Sequence, residues 1–318
     1  MKNYILLAAC LVLAWPSHAH SSEEYAFILK SRGNPYWTAV VDGIQETAKA
    51  HNVQAIIHQL ENDRAAEEQL NTCMSVIERK PKLLALSAVT PAVGLQCLKK
   101  AAADGIAVAD MDANISVADA KAEGIFLAYS VGSDNFLIGE KAAQYVKEIT
   151  SSAKLKVFVL EGAAGSIPGQ KRADGFRAML KKLIPAVNIT SLSAEWDRLK
   201  ALNATTDLLQ RMPDVGVIYA ANDMMALGAA EAVRSVGKME QIKVIGVDGI
   251  ADARKAVQEG RLTASVAQLP YLIGKRAVEL GIEAVKTGKT GVTEITATPV
   301  LDKPMLEAKK DPLLQYVR

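Results

Sequence analysis

The chain reads as an α/β protein built of two doubly wound lobes, each a parallel sheet covered by helices. Apolar strand-like runs alternate with amphipathic helical stretches with little interruption, the pattern of parallel strands screened from water on both faces. The alternation then runs through a second full cycle. The halves share no letter-by-letter repeat, yet strand, polar residue and helix recur in the same order. About 300 residues remain once a leader segment is removed, too many for one small core and suited to two domains of ordinary size.

The first cycle places strands at 25–30, 53–59, 83–88, 106–112 and 126–131, with helices opening at Tyr36, Ala65 and Ala92. The second begins with a helix from Asn135. Its strands fall at 156–161, 187–193, 215–220 and 242–248, and its further helices open at Pro168, Leu199, Met224 and Ala251. After Gly260 there remain a strand at 262–268, a helix at about 271–286, a last strand at 294–300 and a charged tail. That remainder is too short for a third domain.

Residues 1–19 read as a signal peptide: Lys2, an apolar run from Ile5 to Trp15, and Ser17-His18-Ala19 as a small-residue cleavage site. The mature chain is therefore expected to be exported. Leu7-Ala8-Ala9-Cys10 also has the form of a lipoprotein box, although the apolar run continues past Cys10. No later run is long enough for a membrane span. Lys and Arg number 37 against 35 Asp and Glu, a net charge of +2, so no global field exists to hold nucleic acid or an anionic membrane. Of the four histidines only His51 and His58 lie well inside the mature chain, and neither has a cysteine or acidic cluster suited to zinc.

In doubly wound sheets ligands bind beyond the carboxyl ends of the strands, so the residues ending each strand carry the functional signal. In order these are Lys30, Asp112, Glu161, Asn222 with Asp223, Asp248 and Gln268. Asn222, Asp223 and Asp248 also stand where helix N-caps belong, so each has a purely structural reading. Just past the first strand, Asn34-Pro35-Tyr36-Trp37 gathers an amide and two aromatics beside Lys30. That composition suits a sugar ring, whose flat C–H face stacks on aromatics while its hydroxyls need charged or amide partners. It equally suits an Asn-Pro turn that opens a helix and buries its aromatics. Trp196 likewise follows a strand, and either offers a second stacking face or packs in the core. Arg172 sits near a helix start, where the dipole disfavours a cation; it either reaches into the cleft as a forked donor or pairs with Asp174.

The ordered set resembles the periplasmic pentose- and hexose-binding proteins of the ribose and allose type, which have the type I periplasmic binding protein fold. The resemblance runs from about Glu24 to Val300 and is densest in Leu29-Lys30, Asn34-Pro35-Tyr36-Trp37, Glu195-Trp196-Asp197-Arg198, Ala221-Asn222-Asp223-Met224-Met225-Ala226-Leu227-Gly228, Gly246-Val247-Asp248-Gly249-Ile250 and Val266-Ala267-Gln268. It implies stacking by Tyr36, Trp37 and Trp196, and hydroxyl binding by Lys30, Asn34, Asp112, Arg172, Asn222, Asp248 and Gln268. It further implies a three-segment hinge between an N-terminal lobe of 24–131 plus 266–293 and a C-terminal lobe of 132–265 plus 294–318. A periplasmic monomer without a cofactor is the expected form, its partners a monosaccharide and an inner-membrane ABC permease. A sensor docking on a histidine kinase or chemoreceptor is the alternative, since both roles use ligand-driven closure. The ribose branch carries an arginine directly after the acid at Asp112, where Ala113 stands here, and lacks Lys30; both departures imply a hexose such as allose. Tyr36 replaces the usual phenylalanine and adds a hydroxyl near the pocket.

Enzyme classes lack their motifs. Neither Ser31-Arg32-Gly33-Asn34 nor Gly162-Ala163-Ala164-Gly165 fits a dinucleotide-binding turn, and no nucleophile elbow or metal cluster appears. A sugar-responsive repressor would carry a helix-turn-helix where this chain carries an export signal. Cys73 and Cys97 remain once Cys10 is removed. With strand order 2-1-3-4 and right-handed crossovers, their helices lie side by side on one sheet face, so the two cysteines either bridge or stand as buried thiols.

Overall fold

The structure, a computed structural model, describes residues 23–316. The expected signal peptide (1–19) and the lipid-attachment alternative at Cys10 lie outside the described residues.

The first lobe opens β1 (Glu24–Leu29), α1 (Pro35–Ala50), β2 (Gln54–Gln59), α2 (Ala66–Glu78), β3 (Leu83–Leu86), α3 (Pro91–Ala103), β4 (Ala107–Met111), α4 (Val117–Ala122) and β5 (Tyr129–Ser133). The second runs α5 (Asn135–Ile149), β6 (Lys156–Glu161), α6 (Ile167–Leu183), β7 (Asn188–Ser193), α7 (Arg198–Arg211), β8 (Val217–Ala220), α8 (Asp223–Ser235), β9 (Lys243–Asp248), α9 (Ala251–Gln258) and β10 (Ala264–Ala267). Then follow α10 (Pro270–Thr287), β11 (Val292–Thr296), β12 (Val300–Asp302) and α11 (Lys303–Ala308). The sheets have the orders β11-β5-β4-β3-β1-β2 and β12-β10-β9-β8-β6-β7. All described pairings are parallel except β12 against β10.

Local chemistry explains the helix starts. Asn34, Thr90 and Ser166 each cap a helix with a side-chain oxygen, and each helix carries a proline in its first turn, where the missing N–H costs nothing. α1 and α10 pack together on one face of the first sheet, α2 and α3 on the other. Central strands β1 and β3 are buried along nearly their whole length, as helices on both sides require.

The ends of the lobes depart from the sequence reading. The fifth strand runs over 129–133, not 126–131: its ladders to β4 and β11 involve Tyr129 to Ser133 only, and Phe126 is 63 % exposed. The single strand expected at 294–300 is two strands in two sheets: β11 pairs with β5 and β12 with β10, with Pro299 between them unable to donate to a ladder. The lobe boundary expected at 293/294 therefore falls inside β11, which belongs to the first sheet. That expected at 265/266 falls inside β10, whose four residues all pair with β9 in the second sheet. That expected at 131/132 cuts β5. α4, α11 and the 3-10 turn at Pro312–Tyr316 are elements that periodicity did not reveal.

The chain crosses between lobes after Ser133, Gln268 and Thr296, and the three crossings are tied at one point. Ser133 Oγ lies 3.1 Å from Thr296 Oγ1, and the latter hydroxyl donates to the Gln268 carbonyl at 3.2 Å. Cys73 and Cys97 are joined by a disulfide between adjacent α2 and α3, with Cα atoms 6.0 Å apart and both residues fully buried.

A crosslink spanning 24 residues should stabilise the fold by about 3 kcal/mol on the chain-entropy model. Denatured protein should take up no alkyl group until reductant is added, and reduction should lower the unfolding midpoint. Uptake of two alkyl groups without reductant would contradict the bridge.

Candidate ligand-binding site

The carboxyl ends of both sheets face each other across a cavity. All ten residues singled out from the sequence line it: Lys30, Asn34, Tyr36, Trp37 and Asp112 from the first lobe, Arg172, Trp196, Asn222 and Asp248 from the second, and Gln268 at a crossing. Asp63, Ser166 and Pro168 also line it and were not foreseen. Asp63 follows β2, a strand whose end the sequence reading passed over. Ser166 and Pro168 belong to an ordinary capping sequence, which carries no separate signal.

On the first-lobe side Lys30 Nζ donates to Asn114 Oδ1 at 2.9 Å and reaches Asp112 Oδ2 at 3.4 Å. The Tyr36 hydroxyl donates to Asp112 Oδ1 at 3.3 Å. Asp112 and Ala113 both adopt left-handed backbone, φ +69° and +52°, a turn that an aspartate tolerates better than most side chains. Tyr36 and Trp37 meet edge to face at 4.9 Å, and the lysine ammonium lies 5.9 Å from the Trp37 ring centre. Asp110 lies beneath this layer, accepting from Ser130 Oγ and the Ile115 N–H; burial pushes its carboxyl well above the usual range.

On the second-lobe side Arg172 does not pair with Asp174, which bonds Arg177 at 3.2 Å. Arg172 instead donates Nε to Asn135 Oδ1 at 2.8 Å and Nη1 to the Ala221 carbonyl at 2.7 Å, and reaches Asp248 Oδ1 at 3.4 Å. Close helix contact allows this: a Cβ on Gly139 would lie 2.1 Å from the Arg172 carbonyl, and one on Gly175 2.1 Å from the Phe136 carbonyl. Only glycine lets α6 seat so near α5. Trp196, at φ +67°, lies over Gly162 and Gly169, where a Cβ on the first would fall 2.0 Å from the ring.

Asn222 serves both readings at once. Its Oδ1 caps α8 by accepting from the Met225 N–H at 2.9 Å, while its Nδ2 is buried without a partner. Gln268 donates to Asp248 Oδ1 at 2.6 Å, and its Oε1 is also buried without a partner. One unfilled donor and one unfilled acceptor in a single cavity match a ligand carrying hydroxyls, which supply both. Two members of the strand-end row lie elsewhere. Glu161 pairs with Arg177, and Asp223 is buried behind the site, bonded to Ser265 Oγ and the Ile250 N–H, where it braces the turn after β9.

Burial pushes the Asp248 carboxyl up to about 7, against the opposing pull of Arg172 and the Gln268 bond, with Asp112 and Asp63 adding to the rise. Between an unfolded value near 4 and about 7, the folded state holds a proton that the unfolded chain has released, so stability falls as pH rises through that window. Asp248→Asn, which does not titrate, should therefore lose less unfolding free energy than the wild type between pH 4 and 7 when a saturating ligand keeps the cleft closed. Parallel stability–pH curves for the two proteins would contradict this assignment.

Comparison with known proteins agrees with fold and site. Residues 25–290 match the model of the periplasmic binding protein domain. The chain is 34 % identical over 271 residues to the D-allose-binding periplasmic protein of Escherichia coli, covering 85 % of this chain and 87 % of that one. It is 33 % identical to the ribose import binding protein of Bacillus subtilis, covering 87 % and 88 %. Among solved structures, a periplasmic solute-binding protein of an Actinobacillus succinogenes ABC transporter, with D-allose bound, superposes with a TM-score of 0.85 at 28 % identity, covering 90 % of this chain and all of that one. An Agrobacterium vitis solute-binding protein with D-fucose bound gives 0.84 at 25 % identity, covering 92 % and 99 %. With its two sheets, its cavity between strand ends and these relatives, the chain belongs to the periplasmic binding protein family, among its ribose- and allose-type sugar-binding members.

Proposed function

We propose that the protein is a periplasmic receptor that closes its two lobes on one monosaccharide, an aldohexose such as allose, and presents it to an ABC-type permease of the inner membrane. The observation that carries this reading is the pair of unfilled amide atoms, Asn222 Nδ2 and Gln268 Oε1, in a cavity that also holds three aromatic rings. In this reading Tyr36, Trp37 and Trp196 pack against the ring faces. Lys30, Asn34, Asp112, Arg172, Asn222, Asp248 and Gln268 take the hydroxyls. Lys30 beside Asp112 supplies the cation that the ribose branch carries at the position of Ala113, which favours a hexose over ribose. Relatives named for import and ABC transport favour delivery to a permease over docking on a kinase or chemoreceptor.

Calorimetry across aldohexoses, ketohexoses and pentoses should find one sugar bound with micromolar or tighter affinity, about 8 kcal/mol or more. Binding of an amino acid or peptide with no sugar bound would contradict the proposal. Trp37→Ala and Asp112→Ala should each weaken that sugar by about 2 kcal/mol or more while leaving the fold intact. Unchanged affinity would return Trp37 to core packing and Asp112 to local turn structure.

A further inference from the structure

Asp63 stands apart from the other charged residues of the cavity. Lys30 is paired with Asp112 and Arg172 with Asp248, whereas Asp63 takes part in none of the described ion pairs although it lines the same space. The loop that carries it is held by one bond from a distant segment and one within itself: the Arg32 N–H donates to the Leu60 carbonyl at 3.0 Å, and the Arg64 N–H to Asn62 Oδ1 at 2.9 Å. The Trp37 side chain hydrogen-bonds the Asp63 carboxyl, which burial raises above the ordinary carboxylate value. A carboxylate offers about four acceptor positions, so one indole N–H leaves most of that capacity open. Asp63 also lines the cleft mouth, where its neighbour Arg64 pairs with Glu195 of the opposite lobe. The closed lobes thus hold this acid over the cavity.

We propose that Asp63 is a specificity-determining residue of the site: its carboxylate accepts a hydroxyl of the bound sugar, and its charge rejects sugars bearing a carboxylate or phosphate at that end. The charge count supports the second half. Without Asp63 the lining carries two acids and two bases; with it, and with Asp248 ionised above about pH 7, the cavity holds one negative charge in excess. An anionic ligand would add like charge where water is largely excluded, a repulsive element that selects for neutral sugars. Position supports the first half, because Asp63 approaches the cavity from the end of β2, a direction served by none of the residues that the family resemblance implies.

The inference rests on the sugar-binding reading, and one set of titrations separates the two. Wild type and Asp63→Asn are titrated with the tightest-binding aldohexose of the panel, each of its monodeoxy analogues, and the corresponding uronate. The amide keeps an acceptor for the Trp37 indole but removes the charge. Asp63→Asn should lose about tenfold in affinity for the parent sugar. One monodeoxy analogue should bind both proteins alike, identifying the hydroxyl that Asp63 accepts, and the ratio of parent to uronate affinity should shrink by about tenfold or more. Should the amide disturb the loop, Asp63→Ser reports the same pattern across the analogues. An equal loss for every analogue, or no loss at all, overturns this inference and leaves the sugar-binding reading standing. A wild type that binds no sugar overturns both.

Discussion

The structure depends on the burial of four ionisable side chains between its lobes. Lys30, Asp112, Arg172 and Asp248 are each no more than 5 % exposed in the closed cleft. Each such charge costs several kcal/mol to desolvate, and the two pairs they form, both at 3.4 Å, are longer than a strong charge-assisted bond. With Asn222 Nδ2 and Gln268 Oε1 also unfilled, the polar layer is only partly satisfied by protein atoms. Hydroxyls of a sugar would complete it, so closure is favourable with ligand and costly without. Ion pairs between the lobes do little to alter that balance. Among the described ion pairs only Arg64 with Glu195 spans the cleft mouth, and so exposed a pair is largely screened by water.

The fold delivers those charges by placing strand ends, not loops, at the cleft. Lys30, Asp112, Asn222, Asp248 and Gln268 sit at or just past the carboxyl ends of parallel strands, so backbone ladders fix their spacing, while Asp63 and Trp196 stand in the turns that follow β2 and β7. Glycines refine it: Gly139 and Gly175 draw α6 onto α5 and aim Arg172, and Gly162 with Gly169 make the bed for Trp196. Arg172 also bonds Asn135, whose Nδ2 donates to the Ser133 carbonyl at the first crossing. The site and the crossing point therefore share one hydrogen-bonded path, the physical connection that a hinge-closing receptor needs.

Much of this was legible because strand-end chemistry is local. An apolar run that stops at Lys30, Asp112 or Asp248 announces both the strand and the residue presented beyond it. Asn222 shows where that reasoning needed structure: its letters fit a cap or a ligand, and it is both, one side-chain atom for each role. Asp63 was hidden because β2 is an edge strand, partly exposed along its length, and its end is followed by a polar stretch in which one more acid carries no signal. The lobe boundaries moved because pairing partners are not written in hydrophobicity. Residues 294–300 look like one strand, yet Pro299 divides them between two sheets. Short α4 and α11, of six residues each, fall below the length at which helical periodicity is readable.

The claim that ligand, rather than lobe contact, holds the cleft shut is tested most directly by small-angle X-ray scattering with and without a saturating sugar. The account predicts a larger radius of gyration in the sugar-free protein and contraction on saturation to the value calculated for the closed structure. Identical scattering in both states, already matching the closed form, would contradict it.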